Sequence, residues 1–307
     1  MNNALAVGAP IAVVSAAFYG MAPMIQAVAA RQAPPGGGLG LGLLLRLTVR
    51  PLWLLGLAVE AGSFLLEVLA LSVAPVALVA PLMAGDMVVF ALLARRFLGE
   101  RISRAGWRGM ASMVAGIALL TFAFSRGAEV GDRASNHDMG LFLACGLTFT
   151  AVGAWLANRA GRGERIAQAA LLFGLSAGAC YAIATLATRQ IGLYLDDHEL
   201  ARLLATPTPY VLILFSVLAL GLEQRGLQGQ AAVIAFPVTS GVSAFLPVML
   251  GLTLFGESAP EGPRMVAFVA SLLLVAVGIF GLGRDRVATS APEPESRPES
   301  LSERSQR

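Results

Sequence analysis

Glu60, Glu67, Asp86 and Glu223 are acids set inside stretches that otherwise hold almost only apolar side chains. An acid near the middle of a membrane-spanning helix costs about 2.5–3.5 kcal/mol on insertion scales, so it is rare there without a task. Glu60 lies nine residues into the run that opens at Pro51, about 14 Å deep at helical rise. Asp86 lies ten residues into the next, antiparallel run, at about 15 Å and so near the same level. Glu67 follows Glu60 by seven residues, two turns on along the same face, in the outer third. Two carboxylates at one level in a low dielectric cannot both ionise cheaply, so one of them keeps a proton. Such a pair can trade a proton for a cationic substrate, or offer one or two carboxylates to a partly hydrated Mg²⁺. Glu223 is different: Gln224 and Arg225 adjoin it near the inner surface, and a local ion pair is the simpler reading, with a substrate role as the alternative. Gln26, Tyr19 and Ser63 add polar groups inside the first two runs, where hydrogen bonds between helices compete with substrate contact.

The elements that must position these groups follow from composition. The chain has 307 residues, 56% hydrophobic and 13% charged, with a mean hydropathy of +0.72. A soluble domain carries about 25% charged residues, so an ordinary soluble protein is excluded. Residues 1–30 and 226–256 contain no charged side chain. About 20 apolar residues cross a hydrocarbon core, and nine such runs are predicted as helices: 4–30, 51–73, 76–98, 104–125, 139–158, 166–188, 208–224, 228–254 and 263–283. The expected fold class is an all-α polytopic membrane bundle of about nine spans, with ten as the variant if Gly38–Arg50 also crosses. Thirteen residues around a central Arg46 are short for that, and an interfacial or re-entrant segment is favoured. Residues 191–206 place Asp196 and Asp197 before a one-sided stripe of Leu200, Leu203 and Leu204, which reads as an amphipathic interfacial helix. The Ser-, Glu-, Pro- and Arg-rich tail 285–307 is expected to be disordered.

All 22 basic residues are arginine, the coding bias of a GC-rich bacterial genome. With the N-terminus outside, 17 of the 22 fall in cytoplasmic segments and five outside, so the positive-inside rule predicts N-out and C-in, in a bacterial inner membrane. The arginines are scattered one to three at a time between apolar runs, so no nucleic-acid partner is expected. Met1-Asn2-Asn3 lacks a basic n-region and the apolar stretch after it is too long for a signal sequence, which makes it a first span. Cys145 and Cys180 both sit in apolar runs and read as plain thiols. Gly174-Leu175-Ser176-Ala177-Gly178 matches a nucleophile elbow but lies within a span, and His137 and His198 are in outer loops, so no enzyme is expected. The glycines at 36–40 lack a P-loop lysine, so no nucleotide site is read there and no cofactor is expected beyond Mg²⁺ as a transported ion. Ser112 and Gly116 suggest a close-packing face. Pro23, Pro81, Pro237 and Pro247 are hinges or ordinary kinks. Glu100 and Glu257 read as helix-terminus residues, with gating as the alternative.

The chain also resembles itself. At an offset of 156, Pro51 matches Pro207, Glu67 matches Glu223 and Pro81 matches Pro237; at 158, Gly20 and Arg31-Gln32 match Gly178 and Arg189-Gln190. Phe97-Leu98-Gly99-Glu100 likewise matches Leu254-Phe255-Gly256-Glu257. The domain reading is a first repeat over 1–125, a connector and extra span over 126–159, an inverted second repeat over 160–284 and a cytoplasmic tail. An odd connector span turns the second repeat over, and inverted repeats are the architecture of secondary transporters.

Pro51-Leu52-Trp53-Leu54-Leu55-Gly56-Leu57-Ala58, Ala74-Pro75-Val76-Ala77-Leu78-Val79-Ala80-Pro81, Phe97-Leu98-Gly99-Glu100-Arg101 and the run Gly106–Leu120 together resemble the drug/metabolite transporter (EamA-type) superfamily. Within it they are most similar to the NIPA-like magnesium transporter branch. The resemblance covers most of 4–284. It implies an inner-membrane carrier of metabolites, drugs or divalent cations that works without nucleotide hydrolysis. The chain departs from that pattern in its three acids within spans two and three, where such sequences often have glutamine or apolar residues. The combined expectation is a secondary transporter that moves a small solute or cation by alternating access, proton-coupled through Glu60 and Asp86, with Glu67 at the outer vestibule. Magnesium or another divalent cation is the alternative, with Glu60 and Asp86 as its ligands, and an ion channel a more distant one. The bilayer and the substrate are its expected partners, and a homodimer is compatible.

Overall fold

The structure, a computed structural model, describes residues 7–34, 39–74, 76–124, 135–163, 165–196, 200–254, 259–284 and 288–289. Helices occupy almost all of them: α1 (Ala9–Arg31), α2 (Leu41–Leu47), α3 (Pro51–Val73), α4 (Val76–Met83), α5 (Asp86–Phe97), α6 (Arg104–Ala123), α7 (Asn136–Arg162), α8 (Ile166–Asp196), α9 (Leu200–Ala205), α10 (Thr208–Gln228), α11 (Ala232–Leu254) and α12 (Pro263–Gly283). Eight of them, α1, α3, α6, α7, α8, α10, α11 and α12, are long and apolar enough to cross a membrane.

Their starts follow from local chemistry. Pro51 and Pro263 open α3 and α12, where a missing N–H is no loss. Ser103 accepts the N–H groups of Ala105 and Gly106 at 3.0 and 3.2 Å at the head of α6. Ser135 accepts that of Asp138 at 3.1 Å at the head of α7.

Two predicted segments take a different form. The run 76–98 is divided, with α4 stopping at Met83 and α5 starting at Asp86. Gly85 N–H bonds back to Leu82 O at 3.0 Å, tightening the last turn of α4. Asp86 turns its carboxyl onto the Met87 N–H at 2.6 Å, which favours a helix start at that point. The amphipathic helix predicted over 191–206 is cut short, because α8 runs on to Asp196 with no proline to stop it and leaves only the six residues of α9. Asp197 and His198 lie outside the described residues. In the 38–50 segment only α2 forms. It is too short to span, and it buries Leu43, Leu44 and Leu47 against Ala29, Ala30 and Trp53. Gly40, at φ +84°, packs so closely on Gly221 of α10 that a Cβ would collide with its carbonyl. Of the tail, Ala288–Thr289 (β2) pairs antiparallel with Glu100–Arg101 (β1); the other tail residues past 284 lie outside the described residues, as does Glu257.

The helices pack mainly in pairs, α1 on α3, α8 on α10 and α6 on α12, with α11 against α8 and α7 outermost on α8. Small residues set the closest approaches: a Cβ on Gly109 would lie 2.9 Å from Gly278 O, and one on Gly116 3.1 Å from Ser271 O, while Ser112 Oγ donates to Leu274 O at 2.7 Å. The predicted packing face of α6 therefore docks on α12. Large apolar side chains such as Leu65, Leu147, Val266, Leu273 and Val277 are exposed on the outer helices. A surface of that kind suits hydrocarbon and not water. Arg31, Gly161, Ile166, Gln228 and Ala231 surround a single cleft. The ends of α1, α7 and α10 and the starts of α8 and α11 thus meet at one end of the bundle, and α1 and α8 run in opposite senses. Arg31 and Arg225 line this cleft and Arg159 and Arg162 stand at the end of α7 beside it, so among the described residues this end is rich in arginine.

Candidate functional site

On α3, Trp53, Gly56, Glu60, Ser63, Glu67 and Ala70 recur every three or four residues, and Trp53, Gly56, Ser63 and Ala70 are its buried stripe. Both glutamates therefore lie on the inward face, while Leu54, Leu65 and Leu69 on the other faces are exposed. Ser15 and Ser63 lock that stripe to α1: each hydroxyl donates to the other's carbonyl, at 2.8 and 2.7 Å. Ser63 is thus a packing residue.

Inside the stripe is a cavity of about 490 Å³. Glu60 and Glu67 reach it from α3, Asp86 from the head of α5, Glu223 from α10, Tyr19 and Pro23 from α1, Tyr181 and Thr185 from α8, and Phe236, Thr239, Ser240 and Ser243 from α11. All four predicted acids and Tyr19 thus line one space. None of its described lining residues is cationic.

Glu60, Asp86 and Glu223 each accept a hydrogen bond. Gln26 Nε2 donates to Glu60 Oε2 at 2.7 Å, and Gln224 Nε2 donates to Gln26 Oε1 at 2.6 Å. Buried Gln26 therefore stands behind Glu60 and ties α3 through α1 to α10. Tyr19 lines the same cavity as Glu67. Ser240 Oγ donates to Asp86 Oδ2 at 3.3 Å, and Asp86 also holds the Met87 N–H. Tyr181 donates to Glu223 Oε2 at 2.7 Å.

The expected ion pair between Glu223 and Arg225 does not form. Two residues apart on a helix, they face different ways. Glu223 turns inward to Tyr181, while Arg225 donates to Gln228 Oε1 at 3.1 Å and Asn158 Oδ1 at 3.0 Å and lies over the Phe173 ring.

Tyr181, Ser240, Gln224 and Thr185 are site residues that the sequence reading missed. Tyr181 lies three residues past Gly178, a position already marked by internal similarity, and that was the available signal. Ser176 of the elbow-like motif is buried with no partner for its hydroxyl. It packs on Gly153 of α7, where a Cβ would collide with it. Cys145 and Cys180 are free thiols.

A second polar cluster lies at the arginine-rich end. Glu100, almost fully buried, pairs with Arg31 and accepts the N–H groups of Ala232 and Val233 at 3.1 and 2.9 Å. Arg31 also donates to Gly229 O at 2.6 Å. The carboxylate thus caps the N-terminus of α11. Phe90, Ala91, Leu227 and Ile234 are buried in one cluster with the cavity-lining Met87 and Phe236, and the Phe90 and Phe236 rings are 4.5 Å apart.

Fold and site together define a multi-pass helical membrane protein with an acid-lined internal cavity. Over 234 residues the chain is 23% identical to the probable magnesium transporter NIPA9 of Arabidopsis thaliana, a match that covers 73% of this chain and 67% of that one. No protein-family model matches the chain. No solved structure matches it either.

Proposed function

We propose that the chain is a secondary transporter for a small cation, exposing its cavity to either side in turn and trading the cation for protons held on the same carboxyls. The carrying observation is the cavity itself, in which Glu60, Glu67, Asp86 and Glu223 converge with no described cationic residue to neutralise them. Carboxyls gathered in a low dielectric hold charge cheaply only when a cation or protons accompany it.

Two features favour alternating access between inverted halves, 1–125 and 160–284. Gly20 and Gly178, equivalent by the sequence offset, play equivalent parts. A Cβ on Gly20 would lie 2.5 Å from Asp86 O of α5, and one on Gly178 would lie 2.8 Å from Thr239 O of α11. Each half also brings one tyrosine and one of the matched glutamates to the cavity, Tyr19 with Glu67 and Tyr181 with Glu223. The broken helix at Asp86 beside the cavity is a familiar device of such carriers. In this reading the cluster of Arg31, Glu100 and the α11 N-terminus is a closed gate. The arginine-rich end is cytoplasmic by the positive-inside rule, in a bacterial inner membrane.

Magnesium is the second reading, favoured by the name of the Arabidopsis relative. No group of three or more His, Cys, Asp or Glu among the described residues is gathered closely enough to hold a bare metal ion. Mg²⁺ would therefore travel with much of its water shell, which suits an ion that dehydrates reluctantly. The test is flux into proteoliposomes carrying a magnesium dye inside or, separately, a pH dye. Saturable cation entry coupled to proton exit, lost in Asp86→Asn, is expected. Entry that does not saturate, or that survives Asp86→Asn together with Glu60→Gln, would overturn the reading.

A further inference from the structure

A second cavity, of about 510 Å³, opens at the arginine-rich end of α7, lined by Leu39, Ala154, Trp155, Asn158, Arg159 and Arg162. Its polar side is entirely basic or neutral. Arg159 lies 5.5 Å from the centroid of the Trp155 ring, and Arg162 is exposed. Behind them Arg225 donates to Asn158 Oδ1 at 3.0 Å, and its Nε is buried with no hydrogen-bond partner. No carboxylate among the described residues pairs with any of these three arginines. Glu223, the nearest acid along α10, is held by Tyr181 in the other cavity. Glu164 lies outside the described residues, and a full ion pair to it would still leave two guanidinium groups uncompensated.

Guanidinium groups clustered without an acid call for an anion, and their planar forks match the oxygens of a phosphate. The surroundings specify which kind. Trp155 is 59% exposed, and Phe149, Val152 and Leu156 continue along α7 as an exposed apolar surface. A tryptophan and arginines at the end of such a face mark the boundary between headgroups and acyl chains.

We propose that this cleft binds the phosphodiester headgroup of an anionic phospholipid, whose acyl chains lie along the exposed face of α7. The inference needs only that α7 spans the membrane, not the transport reading.

The experiment is native mass spectrometry of the full chain in detergent, titrated with phosphatidylglycerol or phosphatidylcholine. Wild type should hold phosphatidylglycerol about tenfold more tightly than the double variant Arg159→Gln, Arg162→Gln, a loss typical of removing charge-assisted bonds. Phosphatidylcholine should bind both equally. Arg95→Gln, on α5 at the same end, should behave as wild type. Should the double variant not fold, Arg162→Gln alone carries the test, with an expected loss of about threefold. Equal phosphatidylglycerol affinity in wild type and variant would overturn the proposal. So would full displacement by millimolar inorganic phosphate, which would make the cleft a site for free anions.

Discussion

Glu100 accepts the N–H of Val233 at 2.9 Å, so a carboxylate from the first half of the chain caps the helix that lines the far wall of the cavity. The contact is buried and shared with Arg31. Removing one partner of such a pair leaves the other uncompensated and typically costs about 3–5 kcal/mol. Arg31 retains some exposure, so Glu100→Ala is expected to lose about 3 kcal/mol, seen as a lower thermal midpoint in detergent. The same variant should make a cysteine placed at Ala94 more reactive to a water-soluble maleimide. An unchanged midpoint and unchanged reactivity would show that this cluster closes nothing.

Protons and the cation compete for one set of carboxyls if the cavity is the transport site. The stabilisation conferred by a bound cation in a thermal-shift assay should then weaken as the pH is lowered from 8 to about 5, because protonated carboxyls offer no charge. Asp86→Asn and Glu60→Gln should each reduce cation affinity by about tenfold or more. A stabilisation independent of pH would place the cation elsewhere.

Tyr181 holds Glu223 by a single bond of 2.7 Å. Hydrogen bonds to charged groups contribute about 1.5–3 kcal/mol. Tyr181→Phe should therefore lower cation affinity by roughly tenfold while leaving the thermal midpoint of the unliganded protein within a few degrees. Loss of folding without loss of affinity would make Tyr181 a structural residue only.

Two glycines give opposite expectations. A Cβ on Gly20 would lie 2.5 Å from Asp86 O, whereas one on Gly62 would meet nothing within 4 Å. Gly20→Ala should push α5 away and cost about 1–3 kcal/mol, with Asp86 displaced and flux reduced. Gly62→Ala should be neutral or stabilise by up to about 1 kcal/mol, since alanine is the better helix former. Equal effects on thermal stability would contradict the packing of α1 on α5.

Eight of the nine predicted spans, and the setting of Glu60 and Glu67 within one of them, were legible before any coordinates. Apolar runs of about 20 residues have one inexpensive fate in lipid, and Glu60, Glu67 and Asp86 stand out because so little else in those runs is polar. Spacing along α3 even placed Glu60 and Glu67 on one face, since a helical repeat is a property of the chain alone. The self-similarity around Gly20 and Gly178 was legible for the same reason, being a comparison of the sequence with itself.

What only the tertiary structure decided is which groups face each other across different helices. Glu223 sits beside Arg225 in the chain yet meets Tyr181, from a helix some forty residues away, because rotation of α10 about its axis is set by packing on α8 and α1. Glu100 read as an ordinary helix end until α11 arrived over it, and span three read as continuous until Gly85 and Asp86 were seen to divide it. Periodicity and hydropathy report one helix at a time. The azimuth of each helix, and so the membership of the cavity, comes from close approaches at residues such as Gly20, Gly109 and Gly178, which no single segment contains.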